Sequence, residues 1–164
     1  MRDVETLAKE VLEACRARRM MLATAESCTG GMIAAALTDL AGASDVLERG
    51  FITYSNEAKM EMLGVAQETL ATHGAVSAET AGEMAAGALA RSRAAIAVSV
   101  TGVAGPGGGT AQKPVGLVWF GLATSDGQVR VERQLFTGPR DAVRRSSVAK
   151  ALELALEAAY AERP

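Results

Sequence analysis

The amino-acid sequence predicts an α/β fold in three layers, with helices on both faces of a mixed, mostly parallel sheet. Three observations lead there. Helical and strand-like patterns alternate along the chain instead of segregating into blocks. Of the 164 residues 49% are apolar, enough to bury one sizeable core. The one glycine- and proline-rich stretch, TGVAGPGGGTAQKP, follows a strand pattern and is too short to be a linker between separate domains. Residues 1–164 are therefore read as a single domain.

Taken in order, Val4, Leu7, Ala8, Val11, Leu12 and Cys15 recur at helical spacing, and Asp3 can cap the amides at their start. Met20 to Ala25 is a short strand ending at Glu26, and Thr29 through Leu40 reads as a helix stopped by Ala41 and Gly42. A second strand is expected over Leu47 to Ser55, where Phe51, Ile52, Thr53 and Tyr54 carry β propensity, with Asn56 capping a helix from Glu57. Helical stretches at Glu57 to Leu63 and Gln67 to Thr72 precede a capping box at Ser77, which opens an alanine-rich, closely packed helix reaching about Arg93. Ala94 to Val100 reads as a buried strand. Gly116 to Thr124 and Gln128 to Thr137 form a hairpin about Ser125-Asp126-Gly127, and Arg140 to Tyr160 is a closing helix.

Composition removes several kinds of chemistry. The 17 basic and 19 acidic residues give a formal charge of -2, which supplies no basic footprint for nucleic acid. The opening MRDVETLAKE is too polar for a secretory signal, and no apolar run approaches the roughly 18 residues of a membrane helix. A cytoplasmic protein is expected. Cys15 and Cys28 match neither a disulfide framework nor a zinc motif. The one histidine, His73, sits before Gly74 where a helix would end, and cannot build a multi-histidine metal site.

Chemistry-bearing residues fall at the strand ends. Ser27, in Ala25-Glu26-Ser27-Cys28-Thr29-Gly30-Gly31, lies on a strand-to-helix turn, either as an exposed nucleophile or as a helix cap; the usual G-x-S-x-G elbow is absent. Cys28 is the rival nucleophile, or else a small packing residue. With histidine misplaced, the base must be a lysine or a carboxylate. Lys59, in YSNEAK, is the lysine placed like a site residue, though it could also be an exposed lysine on a first helical turn. To serve as a base it must be neutral. Holding a lysine of pKa about 10.4 deprotonated at pH 7 costs about 4.6 kcal/mol in water, so burial beside a hydroxyl such as Tyr54 would be needed. The loop at 101–109 lacks the lysine and hydroxyl of a Walker A motif and does not spell G-x-G-x-x-G, yet its glycines allow backbone amides close to a ligand. Arg140 and Arg144, one helical turn apart, can face one anion or form a plain basic face.

Five ordered blocks, TAESCTGG (24–31), GFITYSNEAK (50–59), GAVS (74–77), TGVAGPGGG with KPVGLVW (101–119) and FTGPRDAVR (136–144), resemble the CinA C-terminal domain family of competence/damage-inducible proteins. Its stand-alone members are nicotinamide-nucleotide amidases. The resemblance implies a CinA-like fold, a homodimer, no metal or cofactor, and hydrolysis of nicotinamide mononucleotide to nicotinate mononucleotide and ammonia. It also implies that Ser27 attacks the carboxamide, Lys59 takes its proton and Tyr54 assists. By the same likeness Thr29, Gly30 and Gly31 lie near the oxyanion or substrate, Thr101, Gly102 and Gly105 form a second ligand loop, and Arg140 and Arg144 are candidates for the phosphate. Gly107 and Pro139 stand where relatives are expected to carry polar, often acidic, residues. Two other readings keep the same residues: a non-catalytic nucleotide-binding module serving a partner, or a serine amidase of another substrate.

Overall fold

The structure is a computed structural model and describes residues 2–161. In chain order the elements are α1 (Val4–Ala17), β1 (Leu22–Glu26), α2 (Met32–Thr38), a 3-10 turn at Ala43–Asp45, β2 (Leu47–Ile52), α3 (Asn56–Leu63), α4 (Gln67–His73), α5 (Ala78–Ala90), β3 (Ile96–Gly102), β4 (Leu117–Thr124), β5 (Val129–Leu135) and α6 (Arg140–Tyr160). The sheet runs in the order β2-β1-β3-β4-β5. β2, β1 and β3 are mutually parallel. β4 runs against β3, and β5 against β4, so β4 alone opposes the other strands.

Side-chain size sorts the layers. Along β1 and β3 the alternating residues Leu22, Ile96, Val98 and Val100 join α1, α2 and α6 in one apolar cluster. The middle of the opposite face offers small residues, Ala23, Ala25, Ala97 and Ala123, and packs on α3 and α5 through Leu63, Met84, Ala85 and Ala88, with Phe51 of β2 beside them. Small residues on both partners let α5 lie close to the sheet. A Cβ on Gly121 would stand 2.2 Å from the Ala81 carbonyl oxygen, and one on Gly87 would stand 1.9 Å from that of Leu63.

Caps fix where the helices begin. Asp3 accepts from the Thr6 amide at 2.8 Å and Ser77 from that of Thr80 at 3.1 Å, as their sequences predict. Two expectations shift. Ser55, not Asn56, caps α3, accepting from the Ala58 amide at 3.0 Å. The helix expected from Thr29 starts only at Met32, because Gly30 and Gly31 adopt φ of 57° and 106°, conformations that no helix contains.

Strand order places the cleft. From β1 the chain crosses by α2 to β2 on one side, then returns by α3, α4 and α5 to β3 on the other. β1 is therefore the point at which the winding reverses, and the crevice beyond the carboxyl ends of such strands is where open α/β sheets take ligands. Ser27 follows β1 directly.

Candidate active site

The Ser27 turn is held from three directions. Its amide donates to the Val100 carbonyl at 3.0 Å, and its carbonyl accepts from Gly30 at 3.0 Å. The wholly buried Glu26 carboxylate accepts from the Thr29 hydroxyl at 2.6 Å and from the Ile33 and Ala34 amides at 2.9 and 3.2 Å. Arg144 reaches in from α6, donating to the carbonyls of Cys28 at 3.0 Å and Thr29 at 3.3 Å. The amino terminus of α2 is thus capped by the chain's own carboxylate, which takes up orphan amides that would otherwise invite an external anion. The Ile33 and Ala34 amides are therefore not free for a bound anion.

Lys59 is 1% exposed. Its Nζ lies 2.9 Å from Ser27 Oγ, 2.8 Å from the Thr53 carbonyl oxygen and 3.4 Å from that of Tyr54. No carboxylate is among these partners. Burial accordingly pushes its pKa down to about 8, since desolvation penalises the charged form. A neutral amine has two N-H groups and one lone pair. With the two carbonyls able to take the N-H groups, the lone pair is left for the Ser27 hydroxyl. A contact of this kind is suited to passing a proton from the hydroxyl to the amine. Cys28, also buried, has its thiol pushed up to about 11, chiefly by desolvation. That leaves little thiolate at neutral pH.

The cleft is about 320 Å³, and its walls include Ser27, Tyr54, Lys59, Thr101, Gly102, Gly105 and Arg140. Of the residues singled out in the sequence, those seven share one site, together with Cys28, which also lines the cleft. Thr29, Gly30, Gly31 and Arg144 do not line it; they build the turn behind Ser27. Thr101 spends its hydroxyl on the Ala75 carbonyl at 2.8 Å, which fixes the GAVS segment against the sheet. Tyr54 approaches Lys59 only through its backbone carbonyl. Its hydroxyl, on a side chain reaching solvent, accepts from Arg140 Nη2 at 3.3 Å.

Sequence reasoning passed over Glu26 as a participant and named Asn56 only as a helix cap and Ala75, Val76, Gly107 and Gly108 only within their motifs, yet all five line the cleft. Glu26 was detectable in principle. A carboxylate closing an otherwise apolar buried strand must find donors, and Thr29 lies three residues on. In the glycine loop the Val103 and Thr110 amides serve the carbonyls of Leu117 and Lys113, whereas those of Ala104, Gly105, Gly107, Gly108 and Gly109 meet no acceptor among the described residues. Of these residues Ala104, Gly105, Gly107 and Gly108 line the cleft. No group of three or more His, Cys, Asp or Glu side chains that could hold a metal ion occurs among the described residues.

Fold and site together define a three-layer α/β protein whose switch-point cleft pairs a serine hydroxyl with a desolvated lysine amine. The chain belongs to the CinA C-terminal domain family, whose model matches residues 4–159. It is 55% identical over 151 residues to the nicotinamide-nucleotide amidohydrolase PncC of Escherichia coli K12, covering 92% of each chain. Among longer relatives, a putative competence-damage inducible protein of Caldicellulosiruptor bescii is 48% identical over 152 residues, 93% of this chain and 37% of that protein. The crystal structure of a competence/damage inducible protein from Agrobacterium tumefaciens superposes with a TM-score of 0.92 at 51% identity, covering 96% of this chain and 97% of that one.

Proposed function

We propose that this protein is an amidohydrolase that converts nicotinamide mononucleotide and water to nicotinate mononucleotide and ammonia, with Ser27 as nucleophile and Lys59 as its base. The observation that carries the chemistry is the buried contact of 2.9 Å between Lys59 Nζ and Ser27 Oγ; the identity to PncC supports the substrate. Neutral Lys59 accepts the Ser27 proton as Oγ attacks the carboxamide carbon. The resulting ammonium returns that proton to the departing nitrogen, leaving an ester on Ser27 and free ammonia. Water, deprotonated by the same amine, then cleaves the ester and regenerates the serine.

The phosphate is assigned to Arg140 and to the unengaged amides of the glycine loop, since α2 has spent its own amides on Glu26. Tyr54 enters through its carbonyl, which helps orient the amine, and through its hydroxyl, which holds Arg140. Arg144 supports the Ser27 turn. The test is ammonia release from nicotinamide mononucleotide by purified protein. Ser27→Ala and Lys59→Ala should each lower the rate by at least about a thousandfold; full rates in either variant reject the mechanism, and tight binding without turnover would instead favour a nucleotide-binding module.

A second copy of the chain is the partner that best fits the edge strand β5, where Val129, Val131 and Leu135 are 51, 40 and 53% exposed. The same reading takes the protein to be a cytoplasmic homodimer; no described helix is long and apolar enough to cross a membrane.

A further inference from the structure

We propose that residues 66–76 form a strap that opens and shuts one side of the Ser27 cleft, and that Lys113 is its latch. Val65 and Ser77, 3 and 7% exposed, pin the two ends, and no residue between them is buried. The middle of the strap is α4, which buries no side chain. Its one large apolar residue, Leu70, is half-buried against the cluster beneath α5. Gly64 and Gly74 stand at either end with φ of 71° and 76°, so the chain can swing there without straining a Cβ. Segments with so few buried apolar contacts lie at the low-stability end of a fold, from which lids are drawn.

Polar contacts hold the strap, and they divide by position. At its start the Glu83 carboxylate accepts from the Ala66 amide at 2.9 Å and from the Thr69 hydroxyl at 2.6 Å. At its end the Thr80 and Ser77 hydroxyls donate to the Gly74 carbonyl at 2.7 and 3.0 Å, and Thr101 to that of Ala75 at 2.8 Å. His73 Nδ1 lies 3.5 Å from a Glu79 oxygen, and Lys113 Nζ donates to the His73 carbonyl. Of these contacts only Lys113 reaches over from the glycine loop. A small turn holds it out: the Thr110 amide donates to the Lys113 carbonyl, and the Lys113 amide to the Thr110 hydroxyl, each at 2.9 Å. Ala75 and Val76 line the cleft from the strap, and Gly105, Gly107 and Gly108 line it from the loop, so the Lys113 contact joins two walls. A Cβ on Gly74 would stand 2.9 Å from Lys113 Nζ; the glycine leaves the room that the amine takes. An ammonium on the last carbonyls of a helix is favoured by hydrogen bond and helix dipole together. The contact nevertheless lies at the surface, so it can break without disturbing the core. With the latch made, the strap shields the chemistry from water; with it broken, the strap swings from the loop and admits or releases the ligand.

Amide hydrogen exchange is followed by mass spectrometry in wild type, Lys113→Met and Lys113→Arg, together with ammonia release from nicotinamide mononucleotide; this second arm rests on the substrate reading above. Lys113→Met keeps an apolar stem and removes the donor. Amides of residues 66–76 should exchange at least about fivefold faster in it, with α5 and the sheet unchanged. Lys113→Arg keeps a charged donor and should return exchange to within about twofold of wild type. A substrate that must first close a loosened strap binds more weakly but reacts normally once bound, so KM should rise about fivefold in Lys113→Met while kcat holds within about twofold. Unchanged exchange at 66–76 overturns the latch, and so does a rise that spreads through α5 and the sheet, the mark of general destabilisation. Faster exchange with an unaltered KM overturns the strap's part in closing the cleft. The exchange arm needs no substrate. A wild type that frees no ammonia from nicotinamide mononucleotide therefore rejects the substrate reading, and the latch then stands or falls on exchange.

Discussion

Lys59 is surrounded by a hydroxyl and two carbonyls with no carboxylate to pair with, so its neutral form is favoured by removal of water. If the neutral amine is the working base, kcat/KM should rise with pH and level off above an apparent pKa near the value of about 8 that burial imposes. A flat profile between pH 6 and 9 would argue against Lys59 as the base. The same shift has a consequence for stability. The unfolded chain holds a proton on this lysine up to pH 10.5, while the native state releases it near pH 8, so the native state binds fewer protons across that window and stability rises with pH through it. Below pH 8 the cost is fully present, of order 3 kcal/mol at about 1.4 per unit. Wild type should therefore gain on Lys59→Met by roughly 2 kcal/mol between pH 7 and pH 9.5, measured by urea unfolding. Cys28→Ala tests the rival nucleophile. With a thiol pushed up to about 11, it should keep activity within about threefold of wild type.

At the scale of elements, small residues mark where backbones approach and where they do not. Gly87→Ala forces a methyl to 1.9 Å from the Leu63 carbonyl, whereas a Cβ on Gly107 meets nothing within 4 Å. The first should destabilise by more than about 2 kcal/mol and the second by less than about 0.5, compared by thermal unfolding. Glu26→Gln replaces charge-assisted acceptance at α2 with a neutral amide, at a cost of about 1–3 kcal/mol. Periodicity made most elements legible: α6 begins and ends at Arg140 and Tyr160 as read from the sequence, and Asp3 and Ser77 cap where expected. The misplaced start of α2 came from reading helix propensity through Gly30 and Gly31, whose positive φ values override it. The pairing of Ser27 with Lys59 was legible chiefly through the family resemblance; a chain whose one histidine is His73 pointed to a lysine or carboxylate base, but its residues alone left Ser27 as nucleophile or cap and Lys59 as base or exposed lysine. The uses found for Arg144, Thr29 and the Tyr54 hydroxyl were not, since each depends on which tertiary neighbour reaches it first. The separation of Arg140 from Arg144 shows the same limit: two arginines one turn apart share a helix face, yet one turns to the cleft and the other to the Ser27 turn.

For the molecule as a whole, the exposed apolar side chains of β5 predict its state of assembly. Sedimentation velocity should give a dimer for wild type, and Leu135→Arg should shift it toward the monomer if that edge forms the contact; a monomeric wild type would remove the assembly from the reading. The direction of the strands also separates regions that tolerate change from those that do not. β1, β2 and β3 all point their carboxyl ends at the cleft, and β5 delivers the chain back there to begin α6. The turn at Ser125-Asp126-Gly127 therefore sits at the far end of β4, eight residues long, or roughly 25 Å from the chemistry. Gly127 holds a φ of 89° there and should be kept. A fluorophore, affinity tag or surface tether grafted beside it would leave the segments that line the cleft unbroken, so the protein could be immobilised with its cleft facing away from the support.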